Sequence, residues 1–126
     1  MDLDLSALSA SSPTKPFEIT VRIREDSPTQ NPVTTPLTAF IDSGAMGNFI
    51  HPRVVKRLHL PLTARETPLE LQTVTGNKFY AVRKQARLTL TTRHGHEETI
   101  ALNVAPVGRH DLILGLPWCQ YHGILL

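Results

Sequence analysis

The sequence predicts an all-β domain, a small barrel or sandwich, and three observations carry that reading. Short segments alternate apolar and polar residues with the period of a strand. Clusters of Pro, Gly, Asn and Asp separate those segments. Windows with helical spacing are few and short. The chain has 126 residues, 40% hydrophobic and 19% charged, which suits one folded domain with a modest core.

Residues 1–16, rich in Ser, Ala and Leu with two prolines, read as a flexible lead-in, a linker from a larger polypeptide. Asp2 and Asp4 stand where a secretory signal carries basic residues, so no signal is expected. The domain itself is placed at 17–126. Phe17, Ile19, Val21 and Ile23 alternate with polar residues and mark a half-buried strand. Residues 25–36 hold Pro28, Pro32 and Pro36 and read as a loop. Leu37–Ile41 is a second strand and Asn48–Ile50 a short third.

Residues 51–58 read as a short helix with Pro52 in its first turn, Val54 and Leu58 on one face, and Arg53, Lys56 and Arg57 on a solvated one. Leu69–Gln72 resumes a strand pattern, Thr75-Gly76-Asn77 is a turn, and 78–83 leads away from it. Ala86, Leu88 and Leu90, then Glu98, Ile100, Leu102 and Val104, form the clearest hairpin, turned at residues 93–96. Asp111–Gly115 is a short apolar strand, and Leu116–His122 gives one or two helical turns with Trp118 as a core anchor.

Composition narrows the function. The formal charge is +2, with no cluster of Lys and Arg dense enough for nucleic acid. No stretch approaches the ~18 apolar residues of a membrane span. Neither nucleic acid nor a membrane is an expected partner. The one cysteine, Cys119, forbids an intrachain disulfide and fits a reducing, intracellular compartment. His94 and His96 lie two apart and Cys119 and His122 three apart, but neither pair has a second pair at zinc-finger spacing. Solvated histidines and no metal or cofactor are expected.

Asp42 draws the chemistry. It ends an apolar strand and precedes Ser43-Gly44-Ala45. A carboxylate there is costly unless hydrogen-bonded. Ser43 can donate a hydroxyl, and Gly44 lets backbone come close. Two readings stay open on these residues alone: a satisfied structural group or surface turn, and a poised catalytic group.

The run Ile41-Asp42-Ser43-Gly44-Ala45, followed by Asn48-Phe49-Ile50, resembles the active-site segment of retropepsin-type aspartic proteases. It is most similar to those of gypsy-type long-terminal-repeat retrotransposon polyproteins and genes derived from them. A second element about seventy residues on, Asp111-Leu112-Ile113-Leu114-Gly115-Leu116-Pro117-Trp118, matches that family's apolar–Gly segment and its Pro-Trp. The resemblance implies a closed β-barrel with one or two short helices and an aspartic endopeptidase that cleaves a polyprotein. It places such a protein in the cytoplasm or in virus-like particles.

It also implies roles. Asp42 is the catalytic carboxylate, general acid in one subunit and general base in the other. Ser43 braces the loop across the dimer axis, and Gly44 and Ala45 belong to the same catalytic loop. Thr75, Gly76 and Asn77 are the flap tip. Ile113, Leu114 and Gly115 are the floor beneath the loop. Two carboxylates sharing a proton need a second aspartate, and none of Asp2, Asp4, Asp26 or Asp111 sits in an Asp-Ser/Thr-Gly. The partner is then a second copy of the chain across a twofold axis. Ser43 in place of the family's frequent Thr removes a methyl group at that axis. Residues 124–126 are candidates for a strand that stitches the dimer. A domesticated, inactive dimerisation or peptide-binding module is the alternative.

Overall fold

Alternating faces and a ring of pairings explain most of the architecture. The computed structural model describes residues 17–25, 33–42, 44–72, 79–92 and 95–123. In chain order these form β1 (Phe17–Glu25), β2 (Val33–Ile41), β3 (Phe49–Ile50), α1 (Pro52–Leu58), β4 (Leu62–Gln72), β5 (Phe79–Thr91), β6 (Glu97–Val104), β7 (Leu112–Leu114) and α2 (Leu116–Tyr121). The strand order is β1-β2-β7-β3-β6-β5-β4, and β1 also pairs with β5. Six strands thus close in a ring, with β4 on the outside of β5. The all-β class read from the sequence is the class of the structure.

The inward faces are those the alternation marks. Val21, Ile23, Leu37, Ala39, Ile41, Ala86, Leu88, Leu90, Leu102 and Leu114 meet in the main core, closed by Val54 and Val55 of α1 and Trp118 and Cys119 of α2. A second cluster gathers Ala45, Phe49, Val82, Ala105, Val107 and Ile113. The expected hairpin is present as β5–β6, with Leu90 opposite Glu98, Leu88 opposite Ile100 and Ala86 opposite Leu102. Gly95 in its turn has φ +80°, which costs glycine nothing.

α1 begins at His51, whose Nδ1 accepts from the Arg53 backbone N–H at 3.1 Å, with Pro52 next to it. Lys56 and Arg57 lie in its last turn, where the helix dipole favours cations. Arg53 does not simply face solvent. Its guanidinium donates to the Arg109 carbonyl at 2.8 Å and the Gly108 carbonyl at 3.3 Å, and meets Asp111 at 3.4 Å. It thereby ties α1 to the loop that enters β7.

Two boundaries differ from expectation. β2 starts at Val33 rather than Leu37, so Pro36 lies inside a strand, opposite Arg22. Only Ala39–Ile41 of β2 also pairs with β7. Pro36 therefore sits where the strand has a neighbour on one side, and a residue without an N–H is tolerated there. β4 starts at Leu62 rather than Leu69, and its register against β5 shifts between Ala64 and Leu69. The extra residues bulge outward on an edge strand and are mostly exposed, so no alternation announces them. Gln72 and Phe79 bound the segment that holds the expected flap turn at Thr75, Gly76 and Asn77, which lies outside the described residues, as do residues 1–16 and 124–126.

Candidate active site

The site begins where β2 ends. Ile41 pairs with Leu114 in the parallel β2–β7 ladder. The Asp42 N–H continues that ladder by donating to the Leu114 carbonyl at 3.0 Å. The chain then folds back on itself. Ala45 N–H donates to the Asp42 carbonyl at 3.0 Å. Gly44 N–H donates to Asp42 Oδ1 at 2.9 Å. Asp42 is left 6% exposed. A buried carboxylate that accepts a backbone N–H is held in one orientation and its charge is partly answered.

The loop rests on the start of α2. Leu116 N–H donates to the Ala45 carbonyl at 2.7 Å, and Gly115 N–H donates to Asn48 Oδ1 at 2.9 Å. The approach is close enough to need glycine. A Cβ at Gly115 would lie 2.2 Å from the Gly47 carbonyl oxygen and 2.6 Å from that of Ala45. Ile113 and Leu114 are fully buried below.

The structure therefore brings together Asp42, Gly44, Ala45, Ile113, Leu114 and Gly115. Ser43, Thr75, Gly76 and Asn77 fall outside the described residues. Asn48 is a site residue that carries no predicted role, although it stands in the segment that drew attention. Its contact with Gly115 spans 67 positions, and only the fold reveals it.

α2 also reaches this region through Cys119, which is 1% exposed. Burial pushes its thiol above the ordinary value, and the negative charge of Asp42 adds to the shift. A neutral thiol beside the loop is the result.

The histidines are not all solvated. His122, at the end of α2, sets Nε2 2.9 Å from Glu98 Oε1, with its side chain 18% exposed. Trp118 anchors the core as expected, and its indole N–H donates to the same Glu98 oxygen at 2.7 Å. His96 stands edge-on to His122 at 5.1 Å between ring centroids. The spacing of residues along the chain gave no sign of this group.

The protease-domain model of the PEG10/RTL1 family matches residues 38–124, more than half of the chain. The chain belongs to the PEG10/RTL1 protease domain family. The match takes in both the Asp42 loop and the β7–α2 segment that supports it. The fold is similar to that in the crystal structure of the retroviral protease-like domain of Ddi1 from Leishmania major. The TM-score is 0.54, over 87% of this chain and 77% of that chain, at 18% identity. At that identity the likeness speaks for the fold. Family and fold together make this a retropepsin-like protease domain, and the resemblance read from the two motifs holds at that level. Among the described residues no helix is long and apolar enough to cross a membrane.

Proposed function

We propose that the domain is an aspartic endopeptidase that works as a homodimer and cleaves a retrotransposon-type polyprotein. The observation that carries this is Asp42: a buried carboxylate at a strand end, held by the Gly44 amide on a loop seated over Gly115. Two such carboxylates, one from each copy, share one proton because close like charges do not both ionise cheaply. The ionised one draws a proton from water as it attacks the peptide carbonyl. The protonated one donates to the carbonyl oxygen, and their titration belongs to the pair. Substrate lies extended, as an added strand, between this floor and a flap at Thr75, Gly76 and Asn77. Ser43 braces the paired loops.

Incubation of the protein with its precursor or an apolar peptide library between about pH 4 and 7 tests the proposal. Asp42→Asn abolishes cleavage, and a statine-type inhibitor blocks it. Asp42→Asn leaves the unfolding free energy within about 1 kcal/mol, since an amide oxygen still accepts from Gly44. A dimer by sedimentation with no cleavage overturns the enzymatic reading and leaves a domesticated binding or dimerisation module.

A further inference from the structure

We propose that His96, Glu98 and His122 form a binding site for a divalent transition metal, zinc by its donor chemistry. Among the described residues these three each offer a ligand atom, and the atoms all lie within 4.8 Å of one another. Two imidazoles and one carboxylate are a borderline-soft set. Zinc accepts it readily, whereas calcium and magnesium call for more oxygen ligands.

The fold builds the set from two elements. His96 immediately precedes β6 and Glu98 is the second residue of that strand. The Thr92 N–H donates to the His96 carbonyl at 2.8 Å, which carries the hairpin pairing through His96 and turns both side chains to one face. Glu98 stands opposite buried Leu90 and so falls on the inward face. His122 comes from the C-terminal end of α2. The separation of His122 Nε2 and Glu98 Oε1 is 2.9 Å. The edge of a tetrahedral zinc site with bonds of ~2.0–2.1 Å is about 3.3 Å. That pair needs to open only slightly, and exposed His96 is free to swing in.

Two further observations point to a ligand rather than to a brace alone. Trp118 N–H donates to Glu98 at 2.7 Å, the type of outer contact that fixes a ligating carboxylate. His96 and His122 also line a cleft of about 980 Å³ with Glu18, Thr20 and Arg22. Three protein donors leave a fourth position, and the cleft gives it room for water. In a brace between Glu98 and His122, His96 would contribute only its edge-on ring contact with His122 and its nitrogens would have no role. The inference is independent of Asp42, which is not among the cleft's lining residues.

Metal would bolt the end of α2 to the β5–β6 hairpin. The test titrates the metal-stripped 126-residue protein with Co²⁺, whose visible bands report four-coordinate N/O ligation, and with Zn²⁺ by calorimetry. One Zn²⁺ binds per chain and raises the melting temperature. His96→Ala, an exposed change, weakens binding by at least about tenfold and removes the thermal shift. His59→Ala, remote in sequence and exposed, changes neither. Glu98→Gln weakens binding without removing a side chain from the packed face. No uptake by the wild-type protein, or equal affinity in His96→Ala, overturns the site and leaves the Glu98–His122 contact as a structural brace.

Discussion

Gly115 is where backbone geometry sets the position of the Asp42 loop. The Gly47 and Ala45 carbonyls lie so close that a Cβ has nowhere to go, and both obstacles are backbone atoms that do not rotate away. Gly115→Ala therefore separates α2 from the loop. The expected cost is at least about 2 kcal/mol in a urea melt, with loss of cleavage. An unchanged melting curve would mean that the loop relaxes freely. Cys119 gives a second test at this scale. Its folded thiol ionises above the ordinary 9.0, because of burial first and the Asp42 charge second. The unfolded thiol ionises at the ordinary value, so the preference for the folded state is whole below about pH 9 and is lost as pH rises past it. Urea melts at pH 7 and pH 10 show a larger loss for the wild-type protein than for Cys119→Ala. Parallel losses would remove the thiol from the account. The same burial makes native Cys119 slow toward iodoacetamide until denaturant is added.

At the scale of elements, what the sequence makes legible follows from where each strand faces. β1 and the β5–β6 hairpin each have one buried and one open face, so their alternation survives in the residues. The first half of β2 was hidden by Pro36, which signals a loop in a sequence but is tolerated where one side of the strand is unpaired. β4 was half hidden because its first residues are exposed on an edge and bulge away from β5. The candidate site divides in the same way. Asp42 and Gly115 stand out because each sits in a local motif. The link between Asn48 and Gly115, and the meeting of His96, Glu98 and His122, depend on ring closure between distant segments. No local pattern encodes them. Asn48→Ala tests the first link. It leaves the buried Gly115 N–H without its acceptor, at an expected cost of about 1–2 kcal/mol in the same melts. Asn48→Asp keeps an acceptor and recovers most of that loss.

At the scale of the whole molecule, these 126 residues carry one Asp-Ser-Gly, and the proposed site of paired carboxylates is completed by a second copy. That makes a dominant effect the sharpest expectation at this scale. Asp42→Asn chains are expected to fold and pair like the wild type, because the amide oxygen still accepts from Gly44 and the Gly115 approach is made by backbone atoms of Ala45 and Gly47. Mixed with wild-type chains above the dissociation constant, they enter mixed dimers with one carboxylate and no acid–base pair. Random pairing at equal amounts leaves about a quarter of the dimers fully wild type among twice as many dimers, so total cleavage falls to about half. A ninefold excess of the variant brings it to about a tenth. The readout is initial cleavage rate at fixed wild-type concentration, after enough time for subunits to exchange. Rates that stay flat as the variant is added would show that one chain holds a complete site, and the homodimer would no longer be needed by the chemistry. Below the dissociation constant added variant has little effect, and dilution of wild-type protein lowers the rate with the square of concentration, since dimers form from pairs of free chains. Both behaviours follow from the proposed pairing, in which the buried Asp42 of each copy supplies half of what peptide hydrolysis requires.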